Sequence, residues 1–350
     1  MFRRFLAYPF PISLFALALL GAGCSEDSSG ATPEEQATLA VKEYVSGELA
    51  ALADAALRLQ EAAPDPDEDG WNPDDDTEAV DAMRAAWAEA RDQYERVEGA
   101  IAVLFPNLDV SVDERYDGFI EEEGGDDDLF DGEGVTGMHG IERILWADPH
   151  PPNVVAFESA LDGYLAAASP ADEQQAADFR DELAQRLVDD TETMRDDFEP
   201  LALDASSAFR GVIGSLEEQL EKISLAATAE DESRYAQRTL DDMRANLEGG
   251  EETYAAFRDW VIEEAGEDVD EDVRAGFSEI AEAYDAIDGA AIPEVPDGFN
   301  PDEPTEEHLA TAYGELYLLL TEHADPTAAS SLVSAMLEAA DAMGIPELPE

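Results

Sequence analysis

Between Thr77 and Leu104, apolar side chains return at intervals of three and four: Met83, Trp87, Ala90, Tyr94, Val97, Ile101 and Leu104. That spacing draws one stripe along a helix and does not fit the two-residue alternation of a half-buried strand. The same rhythm recurs along the chain. Leu39, Tyr44, Leu49, Leu52, Ala56 and Leu59 mark a helix over 33–62, and PDPDEDGWNPDDD, 64–76, breaks it. The next helix is expected from Thr77 to Phe105, where Pro106 stops it. A polar segment and the acidic loop EEEGGDDDLFDGEG then lead to a third helix starting near Thr136. Further helices are expected over 153–168, 171–198, 204–226, 231–265, 269–288, 305–323 and 326–343. Ser169-Pro170, Glu199-Pro200, Gly266 and IPEVPDGFNPDEP, 292–304, separate them. The expected fold is all-α, as two packed four-helix bundles covering about 35–200 and 201–345.

The first residues belong to export rather than to the fold. Arg3 and Arg4 precede ISLFALALLGA, 12–22, an apolar run too short to span a bilayer permanently. Small residues lead to Cys24, the single cysteine. Residues 1–23 therefore read as a lipoprotein signal peptide, Cys24 as the lipidated residue, and 24–34 as a flexible tether. Gly21 stands where such signals usually carry Leu, and a plain secretory signal with a spare thiol is the alternative. Either reading places the protein outside the cytoplasmic membrane. Neither leaves cysteine for disulfides or thiolate metal sites.

The formal charge is −66, with 85 acidic against 19 basic residues, and only Lys42 and Lys222 are lysine. Such a chain repels phosphate, which excludes nucleic-acid binding by backbone electrostatics. Self-repulsion at this density destabilises the compact state unless salt screens it, so a halophilic source is expected. Disorder is excluded by composition, since 45% of the residues are hydrophobic and the aromatics fall at helical spacing.

Three groups of residues are candidates for chemistry. His139 and Glu142, in GVTGMHGIERILW (134–146), lie three apart and so on one helix face. Imidazole beside carboxylate suits Fe, Zn or Mn, with acids from other helices needed to complete a site. The bland reading is an exposed pair at a helix start. Trp87, Arg91, Tyr94 and Glu98 share a second face, with Glu95 one turn after Arg91 and able to pair with it. Glu98 there borders a buried aromatic stripe, an unusual place for an unpartnered charge. The bland reading is two core aromatics and a solvated acid. Asp65, Asp67, Asp69, Gly70 and Asp76 imitate positions 1, 3, 5, 6 and 12 of an EF-hand loop. Asp at position 12, Asn72 at position 8 and prolines at 66 and 73 speak for a solvated linker instead. The H-E-x-x-H motif, a Gly-rich phosphate loop and a nucleophile elbow are all missing, and His150, His308 and His323 stand alone.

Four blocks taken in order resemble the imelysin or M75 family, and within it the EfeO/EfeM-type lipoproteins of ferrous iron uptake. They are YVSGELAALADAALRLQEA, WAEARDQYERVEGAIAVLFPNLDVSVDERYDGF, GVTGMHGIERILW and RYAQRTLDDMRANLEGGEETYAAFRDWV. The resemblance covers most of 35–290. It implies two four-helix bundles over about 35–345 with a metal site in a cleft between helices. Gly137, His139 and Glu142 match the G-x-H-x-x-E signature, and the resemblance carries Glu98, Glu248 and Asp190 to the same cleft. No cupredoxin domain accompanies it. The function it implies is capture of Fe2+ or Fe3+, with Zn2+ also fitting, by a lipid-anchored extracytoplasmic protein that passes the ion to a membrane permease. The alternatives are an M75-type metallopeptidase and a non-catalytic helical module recognising polysaccharide or a partner protein.

Overall fold

The computed structural model describes residues 31–126 and 128–348. The signal segment and Cys24 lie outside the described residues, which contain helices and no strands. The fold is all-α.

The first helix, α1 (Pro33–Ala62), starts where its sequence dictates. Thr32 accepts from the Glu35 amide at 3.1 Å, Glu35 bonds back to the Thr32 amide at 2.8 Å, and Pro33 takes the first helical position. This reciprocal cap satisfies two donors that a helix start leaves free. Its stripe, from Val41 through Leu49 to Leu59, is buried, whereas Leu39 is exposed. The second helix, α2 (Thr77–Glu95), lies against α1. It ends ten residues before the expected Phe105: Arg96 and Val97 interrupt it, and the chain resumes as α3 (Glu98–Leu104). The apolar period continues through the break, which is why the sequence reads as one helix.

The stretch expected to be irregular holds two short helices, α4 (Pro106–Asp113) and α5 (Tyr116–Glu123). Then come α6 (Gly137–Leu145) and α7 (Pro152–Glu158), the latter shorter than the 153–168 expected. α8 (Glu173–Asp178) passes through a π-helical turn at Phe179–Leu183 into α9 (Ala184–Phe198). The second half comprises α10 (Ala205–Leu225), α11 (Thr239–Glu264), α12 (Glu267–Asp285), the single turn α13 (Glu306–Leu309), α14 (Ala312–Ala324) and α15 (Leu332–Met343). α11 begins eight residues after the expected 231. Residues 229–238 instead form a buried connection, with Ser233, Arg234 and Tyr235 each at most 3% exposed. Helices from both halves share one apolar core, since α11 packs on α1 and α2 and α10 packs on α3. At that last crossing Gly99 and Gly211 bring the two backbones together. A Cβ on Gly211 would lie 2.1 Å from the Gly99 carbonyl oxygen, so glycine is required.

Candidate metal centre

Helix α6 is unusual in that all nine of its residues are buried. Neighbours hold its ends. At its start, Thr136 donates to the Ser111 carbonyl at 3.1 Å. Gly137 has φ +72°, and a Cβ there would sit 2.2 Å from the Val112 carbonyl oxygen, so α4 can approach only a glycine. The Trp87 indole donates to the Met138 carbonyl at 2.9 Å, and Arg84 caps the last turn by donating to the Leu145 carbonyl at 2.9 Å. His139 is thereby fixed in the interior, 1% exposed, where the exposed-pair reading placed it in solvent.

The two ring nitrogens of His139 have different surroundings. Nδ1 lies 3.1 Å from Glu142 Oε2. Nε2 lies 3.3 Å from Asp113 Oδ1, at the end of α4, and 3.2 Å from Glu232 Oε2, in the buried connection. It is off the line of both as a hydrogen-bond donor and has no aligned partner. One ligand atom each from Asp113, His139 and Glu232 fall within 4.8 Å of one another. A small contraction brings three such atoms to the ~2.0–2.2 Å that nitrogen and oxygen ligands keep from a transition metal. An imidazole nitrogen without an aligned partner, facing two carboxylates, is a fitting donor set for a borderline divalent ion.

Glu142 serves this centre from behind. Its Oε1 accepts from the amides of Tyr235 at 2.9 Å and Ala236 at 2.7 Å, while Oε2 takes Nδ1. A carboxylate on Nδ1 keeps the proton there and leaves the Nε2 lone pair for a ligand. The same side chain ties down the connection that carries Glu232. That connection is braced further. Ser233 donates to Asp242 at 2.5 Å, Arg234 pairs with Asp117, and the Tyr235 hydroxyl donates to Glu158, which also accepts from Arg143. Ala229 and Gln237, at φ +65° and +55°, bracket it in a conformation that side-chain-bearing residues rarely adopt.

Buried arginine and lysine balance the acids. Arg91, fully buried, pairs with Glu95 and Asp113, reaches Glu232 at 3.1 Å and lies 3.6 Å from Asp242. The expected Arg91–Glu95 pair is present. Burial opposes ionisation of Asp113, but Arg91 and His139 outweigh it and hold its carboxyl below the usual range. Burial opposes ionisation of Glu232 as well, and Lys222, His139 and Arg91 keep it well below. His139 itself would be pushed down by burial, yet the Asp113 carboxylate lifts it well above an ordinary imidazole. A cation held by Asp113, Glu232 and His139 would meet carboxylates kept in the ionised form and would have to take the place of a proton on the ring.

The remaining expected site residues lie elsewhere. Glu98 is buried at 8% exposure but accepts from Lys222 at 3.0 Å and from Asn246 at 2.7 Å, one pair removed from the His139 centre. Its partner is thus a lysine from α10, not solvent. Glu248 is on the outside, its side chain 58% exposed and paired with Arg96 at 3.0 Å. Asp190 accepts from Ser111 at 2.6 Å and Arg186 at 2.8 Å, on the far side of α4. Among the described residues Asp113, His139 and Glu232 form a group whose ligand atoms lie within 4.8 Å of one another, and Glu98, Glu142, Glu248 and Asp190 fall outside that group. No motif in the sequence singles out Asp113 and Glu232. Asp113 sits within DVSVDERYDGF, read as polar loop, and Glu232 within a charged run read as helix. The one signal for the latter was the absence of an apolar stripe between Ala229 and Arg238.

An all-helical core with one histidine facing carboxylates from two other elements defines a helical protein with a buried candidate cation site. A family model described as imelysin, of the peptidase M75 group, matches residues 40–323, and the chain belongs to that family. It is 24% identical over 200 residues to the iron uptake system component EfeM of Bacillus subtilis, covering 57% of this chain. The chain spans 41% of that relative's length. The fold matches an imelysin-like protein of Psychrobacter arcticum at a TM-score of 0.56 and 13% identity, covering 89% of this chain and 98% of the other. It also matches a protein described as an iron-regulated protein A precursor from Parabacteroides distasonis, at 0.54 and 15% identity, covering 90% and 97%.

Proposed function

We propose that this protein captures iron outside the cytoplasmic membrane and hands it to a membrane permease, with residues 1–23 as its export signal and a lipid on Cys24 as its anchor. Asp113, His139 and Glu232 take the ion, and Glu142 orients the imidazole. The observation that carries this reading is the His139 Nε2, buried, unaligned with any acceptor, and 3.2–3.3 Å from two carboxylates contributed by separate elements. Family membership and the likeness to EfeM favour iron, and the mixed N/O donor set suits Fe2+ and also Zn2+. No helix among the described residues is long and apolar enough to cross a membrane, and this reading assigns attachment to the lipid on Cys24.

The test is titration of the purified protein with Fe2+, Fe3+ and Zn2+ in molar NaCl, beside His139→Ala and Asp113→Asn. One tight equivalent, lost in both variants, is expected. Weak binding of many ions that neither substitution changes would show that the surface acids are responsible and would remove the proposal.

A further inference from the structure

Lys222 is one of two lysines in 350 residues and lies 2% exposed, inside the acid cluster rather than on the surface where lysine belongs. Its Nζ lies 3.0 and 2.9 Å from the two oxygens of Glu95 and 3.0 Å from Glu98 Oε2. Three carboxylate oxygens around one compact positive charge is the arrangement that a hard metal ion also takes, at shorter distance. The ammonium is tethered beside open space. A cavity of about 140 Å³ is lined by Glu98, Glu218, Glu221, Lys222 and Glu232. Glu218 Oε2, buried in the protein, has no hydrogen-bond partner. Glu232 belongs both to this cavity and to the group that faces His139 Nε2, so the two regions adjoin through a shared carboxylate.

We infer that the Lys222 ammonium holds the place of a second divalent cation and thereby restricts the protein to a single ion. This rests on the reading that Asp113, His139 and Glu232 take one. Lys222 acts as a specificity-determining residue: its ammonium already occupies the space between Glu95 and Glu98, so a free ion would have to displace it to enter beside them. A second ion would add its charge to that of the ammonium, and repulsion inside a poorly screened interior excludes it. Without the side-chain charge, Glu95 keeps only Arg91 and Glu98 only Asn246, and Glu218 Oε2 is at hand as a further oxygen. Buried carboxylates that lose a positive partner then take up a cation or a proton, and the metal load tells the two apart.

The stoichiometry of Zn2+ decides the matter. Full-length wild type, Lys222→Arg, Lys222→Met and Lys222→Met/Glu98→Gln are refolded with excess Zn2+ in 1 M NaCl, washed with a weak chelator, and analysed for metal and for unfolding temperature. The expected loads are one, one, two and one ion per chain. Lys222→Met should melt below wild type without metal and recover more of its loss on adding Zn2+ than wild type gains. A Lys222→Met protein that retains one ion and shows no extra recovery overturns the inference, because the ammonium is then only a structural partner. So does failure of that variant to fold with Zn2+ present throughout while the double variant folds, since a second cation would have rescued it. Wild type carrying no ion fails the iron-capture reading itself, a result distinct from wild type and Lys222→Met each carrying one.

Discussion

Two acidic regions of this molecule could each be mistaken for the other in sequence. The loop from Asp65 to Asp76 has carboxylates at cation-loop spacing, and the His139 region has a single His-x-x-Glu in a chain crowded with acids. In the loop, the carboxylates are engaged locally. Asp67 accepts from the Asp69 amide at 3.2 Å, Asp69 from the Asn72 side chain at 2.7 Å, and Asp76 from the Asn72 amide at 2.8 Å. Asp65 is fully exposed and faces Arg180 at 3.4 Å. The loop takes its shape from Trp71, buried edge-on against Phe179, with the Trp71 amide donating to the Pro170 carbonyl at 2.9 Å. Around His139, by contrast, carboxylates arrive from α4 and from residues 229–238 onto an imidazole that is 1% exposed. Acid density does not make a site. Convergence of donors from separate elements, in a place where their charges need compensation, does.

The largest test of that contrast is His139→Ala. It should weaken the first Zn2+ or Fe2+ equivalent by about 100-fold or more, beyond the range for outer residues of a metal site, as read by chelator competition. Asp67→Asn/Asp69→Asn should leave that equivalent unchanged. An equal loss in both would erase the distinction between the regions.

Glu142→Gln should cost about 10–100-fold. The amide oxygen still accepts from Tyr235 and Ala236, but its NH2 group faces Nδ1 and forces the ring proton onto Nε2. Hydrogen exchange at Tyr235 and Ala236 should therefore stay near wild type while affinity falls. In Glu142→Ala both should change. If Glu142→Gln binds as tightly as wild type, the orienting role is wrong.

Acidity separates the regions next. His139 has a raised folded-state pKa, so in the metal-free protein it contributes stability that is fully present below the ordinary imidazole value near 6.5 and is lost as pH rises through the folded value. Metal must displace that proton, so affinity should climb by up to about tenfold per pH unit from 6.5 upward until the folded value is passed. Any binding by the loop, which contains no histidine, should be flat over that span. A flat profile for the tight equivalent would argue against His139 as its ligand.

The smallest effect is expected from salt. Raising NaCl from 0.1 to 1 M shortens the screening length from about 10 to about 3 Å. Binding at the buried centre should weaken only a few-fold, while loose binding by surface acids disappears. The melting temperature should rise over the same range, because self-repulsion of a chain with net charge −66 is being screened. A melting temperature that falls with salt would count against the halophilic reading.

The all-α class was legible because period and punctuation agree. The apolar stripes of α1 and α2 and the Pro64 stop depend on local chemistry alone. His139 and Glu142 were legible for the same reason, since two residues three apart on a helix share a face wherever that helix sits. Part of Glu98 was readable too: a charge beside an aromatic stripe needs a partner, although Lys222, more than 120 residues away, could not be named as that partner.

What only the tertiary structure decided is which acids meet the histidine. Asp113 and Glu232 are separated from His139 by 26 and 93 residues, and nothing in their neighbourhoods distinguishes them from the other acids. Their selection depends on Gly137 admitting α4, on Glu142 holding the Tyr235 and Ala236 amides, and on Arg91 bridging Asp113 and Glu232. Sequence fixes local geometry through backbone sterics and side-chain period. Convergence is a property of packed elements, and in a chain with 85 acids only burial tells which carboxylates have lost their water and need a cation.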